Sequence, residues 1–419
     1  MQSKLNFKCR RIWSKTTVVF LIFILVTPLF SFSLATIYKP FILQKVTASY
    51  PTIQKAINAA NPGDILMVPA GTYHERIVIN KSITLKGAGM HLSVVDGEAL
   101  GTVVSIKAHN VVIEGLTIRN AGKINGASGV HVRSVNNCII ASVFFEECDI
   151  AIKIDGSFDC KVYDCLIKNC GIGIRLWYIS GNNAFFGNKI VDNNVGIDLR
   201  AYSYNSTALN NVIANNSVGI YVSHSYNNNI RRNTISKSGF YGIYLYGTLS
   251  QNNIITLNNV TQNYYGIYLW MAENNLFYKN NFINNTVHAY VVADSHPPLN
   301  KWNTTYPEGG NFWSGYVGED KFYGSFQNIP GSDNIIDEPY VINEKNIDYY
   351  PLIYPVEDTV DHEPEFNPDL IILLMFSFLI FFALVIILKI KIRQSSPASF
   401  NKNSNKNEGN YNTYNNNYS

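Results

Sequence analysis

A short alternation of apolar and polar residues recurs along the middle of the chain. The phrase Gly-Ile-x-Leu, or a close variant of it, returns at intervals of 22, 22, 23, 23, 23 and 24 residues. Each phrase predicts a strand with one buried face, because alternate residues of a strand point to the same side. The phrases begin at Gly129, Ala151, Gly173, Gly196, Gly219, Gly242 and Gly266. Short strands at this period, without a helical pattern between them, predict an all-β fold, a right-handed parallel β-helix of about ten stacked coils, roughly 50 Å long.

Asparagine recurs with the same period and predicts columns of side chains at the bends between strands. Asn at a bend tolerates left-handed backbone geometry, and stacked amides can hydrogen-bond from coil to coil. The first predicted column contains Asn188, Asn211, Asn233, Asn258 and Asn281. The second contains Asn193, Asn216 and Asn263, and the third contains Asn183, Asn229, Asn253 and Asn275. These asparagines are therefore predicted to be structural.

Five cysteines head the same columns: Cys165 the first, Cys148 and Cys170 the second, and Cys138 and Cys160 the third. Small apolar side chains that fill the interior are one interpretation, since free cysteine is usually buried. Disulfides Cys138–Cys160 and Cys148–Cys170 are the alternative, because neighbouring coils lie within disulfide range. No Cys-x-x-Cys pair occurs, which disfavours a thiolate metal site.

An amphipathic segment over residues 52–60 precedes the first coil and predicts a short helix. Thr52 is placed to cap its N-terminus, and Asn61-Pro62-Gly63-Asp64 is placed to end it. The first strand is predicted at residues 65–68. Such a helix would cover the open end of the β-helix core, which a solenoid otherwise exposes.

The two ends of the chain predict a membrane protein. Residues 1–35 combine five basic residues with an apolar run and read as a signal peptide or N-terminal anchor. Residues 369–390 predict a transmembrane helix, and the basic residues that follow place an Asn-rich disordered tail, 391–419, in the cytoplasm. Residues 36–353 are then the ectodomain, with its closing segment at about 300–353, and residues 354–368 a linker. Only 15% of the residues are charged. The part of the chain between the two basic ends is acidic, which argues against nucleic acid as a partner.

A longer pattern near the N-terminal coils resembles the pectin-lyase-like superfamily, and within it the NosD-type β-helix proteins and archaeal surface proteins with the carbohydrate-binding and sugar-hydrolysis repeat. It reads Pro62-Gly63-Asp64, then Val68-Pro69-Ala70-Gly71-Thr72-Tyr73, then Ile83-Thr84-Leu85-Lys86-Gly87. A second pattern is similar to the segment that closes NosD-type domains: Asn311-Phe312-Trp313-Ser314-Gly315-Tyr316, Pro339-Tyr340-Val341-Ile342 and Asp348-Tyr349-Tyr350-Pro351-Leu352. The resemblance covers about residues 50–353 and implies the fold more specifically than an activity.

The resemblance suggests two metal cofactors, calcium and copper. Calcium would be held by Asp320, Asp333 and Asp337 in the acidic loop, but Gly315 and Ile335-Ile336 depart from the family pattern there. Copper follows from the accessory role of NosD proteins in nitrous oxide reductase maturation, and copper(I) favours clustered Cys, Met and His. The histidines and methionines are scattered here, with His288 and His296 the nearest pair.

The variable position x of each repeat points outward and defines the candidate site. One outward column contains His131, Lys153, Arg175, Asp198, Tyr221, Tyr244 and Tyr268, and the next contains Arg133, Asp155, Trp177, Arg200, Ser223, Tyr246 and Trp270. Aromatic rings stack on sugars, so a glycan-binding surface is predicted at Trp177, Tyr221, Tyr244, Tyr246, Tyr268 and Trp270. The sequence thus favours a membrane-anchored surface protein that binds polysaccharide or serves in the cell envelope.

An enzyme that cleaves polysaccharide, a lyase or a glycoside hydrolase, is the alternative interpretation. Its candidate catalytic residues are Asp155, Asp198 and Arg175, because glycosidases work with paired carboxylates. The basic neighbours of both carboxylates favour ion pairing over general acid catalysis. Sequons at Asn80, Asn205, Asn215, Asn259, Asn284 and Asn303 suit an exported glycoprotein.

Overall fold

The computed structural model describes residues 43–45, 50–122, 126–292 and 298–357. These residues form a parallel β-helix of about ten coils, as the period predicts. The predicted signal segment 1–35, transmembrane helix 369–390 and tail 391–419 lie outside the described residues. Within the described part, no helix is long and apolar enough to cross a membrane.

Each coil contributes one strand to each of three parallel sheets. Sheet 1 contains Leu43–Lys45, Ile65–Val68, Thr84–Gly87, Val112–Glu114, Ile139–Ala141, Lys161–Tyr163, Ala184–Phe186, Thr207–Leu209, Asn229–Arg231, Ile254–Thr256 and Leu276–Tyr278. Sheet 2 contains Gly71–His74, Ser93–Asp96, Thr117–Gly122, Phe144–Cys148, Leu166–Lys168, Lys189–Val191, Val212–Ala214, Thr234–Ser236, Asn259–Thr261, Asn281–Ile283 and Phe312–Trp313. Sheet 3 contains Ile77–Ile79, Val104–Ile106, Ser128–Arg133, Ile150–Asp155, Ile172–Trp177, Val195–Arg200, Val218–Ser223, Tyr241–Tyr246, Tyr265–Trp270 and Val287–Val291.

The Gly-Ile-x-Leu phrases are the strands of sheet 3, and they stack in register. Ile220 pairs with Ile197 of one neighbouring coil and Ile243 of the other. These isoleucines, and the leucine or valine two residues after each, are at most 1% exposed, so each coil adds one apolar layer to a continuous core. The alternation read from the sequence is therefore the packing pattern of the solenoid.

The cap helix is observed at Ile53–Ala59, one residue shorter at each end than predicted. Thr52 is its N-cap, and the Thr52 hydroxyl accepts a hydrogen bond of 3.2 Å from the Lys55 amide. Ile53, Ala56 and Ile57 are fully buried. The helix thus covers the first coil's core with its apolar face.

The asparagine columns are ladders of buried, hydrogen-bonded amides. In the first ladder, Asn233 Oδ1 accepts hydrogen bonds from the backbone amide and Nδ2 of Asn211, while Asn233 Nδ2 donates to Asn258 Oδ1. The first ladder runs through Cys165, Asn188, Asn211, Asn233, Asn258, Asn280 and Asn311, and the third through Cys160, Asn183, Ser206, Asn228, Asn253, Asn275, Asn300 and Asn346. The second runs through Cys170, Asn193 and Asn216, is interrupted at the Ser238 hydroxyl, and resumes from the Ser238 amide through Asn263 to Asn285.

Two assigned members of these ladders are wrong by one residue. Asn280, not Asn281, accepts from the Asn258 amide, and Asn228, not Asn229, accepts from Ser206. Asn281 lies in a strand instead and donates to the Asn259 side chain. The ladder position is the residue two before the inward apolar side chain, and in these coils that side chain is Phe282 or Ile230, both fully buried.

All five column-heading cysteines are free, buried thiols in the structure, in the columns predicted for them. The sulfur atoms donate to backbone carbonyls of their own turns, as Cys160 Sγ does to Phe158 O at 3.4 Å and Cys170 Sγ does to Lys168 O at 3.3 Å. They replace the amides at the start of each ladder and pack in the core beside Phe145 and Ile167. Interior filling accounts for these positions.

The closing segment carries the core to its C-terminal end. Trp302 stacks on Phe277 at a centroid distance of 4.3 Å, and Trp313 stacks on Phe282 at 4.5 Å. Two short antiparallel hairpins follow, Phe322–Tyr323 with Ile329–Pro330 and Tyr340–Asn343 with Asn346–Asp348. Asp348 is fully buried and accepts hydrogen bonds from Trp313 Nε1 and the Asn311 amide, and burial raises its pKa to about 7.

Candidate functional site

The outer face of sheet 3 is the candidate site. A six-residue strand such as Tyr241–Tyr246 turns its first, fourth and sixth side chains outward, while the glycine, the isoleucine and the leucine are buried. The x column is in register from His131 through Tyr268, as predicted, and continues to Tyr290. One face therefore presents three parallel rows of side chains to solvent.

Rings from the later coils form a contiguous surface, which we call the aromatic strip. It comprises Tyr221, Tyr241, Tyr244, Tyr246, Tyr265, Tyr268, Trp270 and Tyr290. Tyr244 contacts Tyr221 at a centroid distance of 5.0 Å and Tyr268 at 5.3 Å, and Tyr246 contacts Trp270 at 5.5 Å. Five of the six predicted binding residues are thus brought together. The sixth, Trp177, lies two coils away from Tyr221, between two arginines.

Three rings of the strip were missed by the repeat pattern. Tyr241 and Tyr265 precede the glycine of their repeats, and Tyr290 lies in the last coil, where His288 stands in place of the glycine. Tyr241 is central, with centroids 4.7 Å from both Tyr244 and Tyr268. The signal that would have found the first two is the tyrosine before each of the last two Gly-Ile-Tyr-Leu phrases.

The strip is electrically neutral at ordinary pH. Burial, followed by the neighbouring tyrosines, raises the pKa of Tyr244 well above its usual value, and the pKa of Tyr268 is raised for the same reasons. Trp270 and Tyr290 are its most exposed members, at 41% and 44%. The strip thus offers flat apolar rings with hydroxyl groups that can donate a hydrogen bond.

The coils before Tyr221 carry charges on the same face. Asp198 is fully buried, and its two oxygens accept hydrogen bonds from Arg175 Nε at 2.7 Å and Arg200 Nε at 2.6 Å. Both guanidinium groups also lie over Trp177, at 5.7 and 5.9 Å from its ring, and Arg200 lies 5.0 Å from the ring of Tyr221. We call Arg175, Trp177, Asp198 and Arg200 the arginine cluster; it adjoins the aromatic strip directly.

The other candidate carboxylate also has basic partners. Asp155 Oδ2 lies 3.5 Å from His131 Nε2 and 3.8 Å from Lys153 Nζ, and all three side chains are about one-fifth exposed. Burial and then Lys153 lower the pKa of His131, so its imidazole is neutral at pH 7. The surroundings of Asp155 and Asp198 are those of ion pairs, and a catalytic role for either residue stays a prediction.

The three aspartates of the acidic loop accept hydrogen bonds from that loop. Asp320 accepts from the backbone amides of Asp333 and Asn334, and Asp337 accepts from those of Lys321 and Phe322. Asp320 and Asp337 therefore connect two parts of the loop, while Asp333 accepts locally from the Ile335 amide. Among the described residues, no three His, Cys, Asp or Glu side chains are grouped to hold a metal ion.

Comparison with known protein families shows which family this chain belongs to. The family described as periplasmic copper-binding protein (NosD) matches residues 73–201 and 114–318, which together make up more than half of the chain. The chain belongs to the NosD family. The match covers nearly all of the three-sheet solenoid, including the whole aromatic strip. NosD membership thus applies to the coils that carry the candidate site.

Three individual proteins are similar to this NosD-family chain over part of its length or at low sequence identity. A cell surface glycoprotein of Methanothermus fervidus is 36% identical over 97 residues, which are 22% of this chain and 15% of that protein. The mannuronan C-5 epimerase AlgE4 A-module of Azotobacter vinelandii is 15% identical with a TM-score of 0.48, covering 62% of this chain and 88% of that one. The tailspike protein 2 of bacteriophage CBA120 is also 15% identical, with a TM-score of 0.45 and coverage of 56% and 40%. The structural likenesses say nothing of what this chain binds.

The five described cysteines are poorly suited to bind copper. Copper binds thiolates, yet the five described cysteines are at most 5% exposed. Burial raises the pKa of Cys165 to about 12, and the Cys170 thiol and burial raise that of Cys148. The pKa of Cys138 is lowered instead, because the Cys138 sulfur is hydrogen-bonded to the Cys160 thiol. All five thiols are therefore buried, and the pKa values of Cys165 and Cys148 favour their protonated forms.

Proposed function

We propose that this NosD-family protein is displayed outside the cytoplasm on a membrane anchor and binds polysaccharide along the outer face of sheet 3. The aromatic strip carries this proposal. A polysaccharide is a long ligand with apolar ring faces and many hydroxyl groups, and a row of rings repeated at the coil spacing is a matching surface. An envelope-structural role without a separate glycan ligand is the alternative.

The strip combines a rigid interior with an accessible edge. Tyr241, Tyr244 and Tyr268 pack on one another and stabilise adjacent strands, as cross-strand aromatic neighbours do. Trp270 and Tyr290 keep about two-fifths of their area exposed. Because the inner rings hold the outer ones in place, ligand binding would cost little side-chain entropy.

Several observations support the location outside the cytoplasm. The matched family is described as periplasmic, and the partial relative from Methanothermus fervidus is a cell surface glycoprotein. Four sequon asparagines, Asn80, Asn205, Asn215 and Asn284, are exposed in the structure, as glycan attachment requires. The anchor is proposed from the apolar run at 369–390 and its basic flank alone.

Replacing Trp270 and Tyr290 together with alanine is expected to weaken polysaccharide binding by about tenfold or more, since each stacked ring contributes on the order of 1 kcal/mol. Both rings are at the exposed edge, so the free energy of unfolding should change little. Retention in affinity electrophoresis against a panel of polysaccharides measures the first effect, and urea unfolding measures the second.

A matched control exists on another face. Tyr163 and Phe186 stack at 4.9 Å on the outer side of sheet 1, and their double alanine variant should leave retention unchanged. Equal loss in both variants, or no retention of any polysaccharide by the folded wild-type ectodomain, would refute the binding proposal.

The proposed orientation of the chain across the membrane can be tested by protease treatment of intact cells. Protease added to intact cells should remove residues 36–368 while a tag fused after Ser419 stays intact, because Lys389, Lys391 and Arg393 favour the cytoplasmic side. A tag placed at residue 360 is the positive control and should be lost. Loss of the C-terminal tag from intact cells would show the orientation to be wrong.

A further inference from the structure

The outer face of sheet 3 is divided along its length into two chemically different halves. From Tyr221 onward its exposed groups are the neutral rings of the aromatic strip. In the three preceding coils the outward groups are mostly charged: Lys153, Asp155, Arg175, Asp198 and Arg200. A ligand that lies along the whole face therefore meets rings at one end and charges at the other.

The arginine cluster holds its two guanidinium groups in fixed positions. Each uses Nε to hydrogen-bond Asp198, and each lies over Trp177. Among the described residues, neither guanidinium makes another hydrogen bond within the protein. The Nη atoms, which form the fork that matches carboxylates and sulfates, remain free to donate.

The three coils that carry the charged residues have a net positive charge on the outer face of sheet 3. Asp198 supplies one negative charge against the two of Arg175 and Arg200, and Asp155 is matched by Lys153. His131 adds none while neutral. The side chains of Arg175 and Arg200 are 18% and 27% exposed, so the excess charge is accessible from solvent while water around it is reduced.

We propose that the arginine cluster binds an anionic substituent, a carboxylate or a sulfate ester, of the polysaccharide that lies on the aromatic strip. The inference rests on the proposed function and narrows it to acidic glycans. Arg200 joins the two halves because it contacts both Asp198 and the ring of Tyr221. One sugar unit can then place its anionic group on the guanidinium fork while the next units stack on the rings.

The test compares charged and neutral forms of the same polymers. Ectodomain binding is measured against polygalacturonate and its carboxyl-reduced form, and against dextran sulfate and dextran. Wild type should prefer one anionic polymer over its neutral counterpart by at least about tenfold at low salt, with the preference shrinking as salt is added. Preference for polygalacturonate identifies a carboxylate as the substituent, and preference for dextran sulfate identifies a sulfate ester.

The diagnostic variant is Arg175→Gln with Asp198→Asn and Arg200→Gln, which removes the guanidinium groups without leaving Asp198 as an unpaired buried charge. It should lose the anionic preference and keep binding to the neutral polymer. Lys161→Gln, exposed on sheet 1, makes the same net change of one charge and should keep the preference.

The outcomes separate the two proposals. Equal binding of anionic and neutral polymers by wild type, or an anionic preference that survives in the triple variant, would overturn this inference and leave glycan binding standing. Binding of none of the polymers, in this panel and in the broader one above, would overturn the proposed function itself. Circular dichroism of each variant establishes that the fold is intact before binding is compared.

Discussion

Replacing Asn233 with alanine is expected to destabilise the β-helix by about 3 to 5 kcal/mol, one of the largest effects of any single change in this chain. Asn233 is 1% exposed, and its oxygen accepts from the Asn211 amide and side chain. Its Nδ2 donates to Ala208 O and Asn258 Oδ1. Alanine would leave the buried Asn211 amide without its acceptor and would remove the bonds from Nδ2 to Ala208 O and Asn258 Oδ1.

Asn194→Ala and Asn233→Ser serve as the comparison variants. Asn194 is exposed, and its backbone amide bond to Cys170 O does not depend on its side chain, so the change should cost less than about 0.5 kcal/mol. The Ser206 hydroxyl accepts from the Asn183 amide at 3.2 Å in an equivalent ladder position, so Asn233→Ser should cost less than alanine. Urea midpoints measure all three. Equal midpoints for the Asn233 and Asn194 alanine variants would mean that the ladder does not hold the coils together.

The solenoid was predictable because each coil repeats the same requirements. The glycine and isoleucine of sheet 3 recur in five successive coils, from Gly173 to Gly266, so their period specifies the stack. The ladder asparagines were harder, because Asn227-Asn228-Asn229 and Asn280-Asn281 are runs of one residue type. Within such a run only the inward apolar residue fixes which amide is buried, and choosing the wrong one displaced two assignments by a single residue.

The aromatic strip was predicted in part, and the gap has a physical cause. Strict alternation back from Tyr244 makes Gly242 outward and Tyr241 inward. In the structure Gly242 and Ile243 are both buried, and Tyr241 is partly exposed. The alternation breaks at the glycine, which lacks a side chain to place on either face. Tyr290 was missed because its coil has lost the Gly-Ile phrase.

Burial of Asp198 was beyond what the sequence shows. Its x position marks it as outward, yet it is fully buried because Arg175 and Arg200 fold over it. That arrangement depends on side-chain conformations of residues 23 positions and 2 positions away, and on Trp177 below them. The period identifies neighbours in a column, but it does not say which long side chain covers which short one.

Gly219→Ala is the second change expected to have a large effect. Gly219 lies in the glycine column of sheet 3, between Gly196 and Gly242 of the neighbouring coils. A Cβ at this position would lie 2.5 Å from the Gly242 carbonyl oxygen and 2.6 Å from Ile235 Cγ2. The first contact is with backbone that a parallel sheet fixes on both sides, so the strain cannot be relieved by a side-chain rotation. We expect a loss of about 2 to 4 kcal/mol in the free energy of unfolding.

The same substitution at Gly239 separates steric crowding from the general effect of removing a glycine. A Cβ there would meet only the Ser217 Cα at 3.9 Å, and the glycine is exposed at a bend in the following coil. Gly239→Ala should leave the urea midpoint unchanged or raise it slightly, because alanine restricts the unfolded chain. If both variants shift the midpoint equally, close approach does not explain the glycine column. If only Gly219→Ala is costly, the close approach of Gly242 O and Ile235 explains why this position has no side chain.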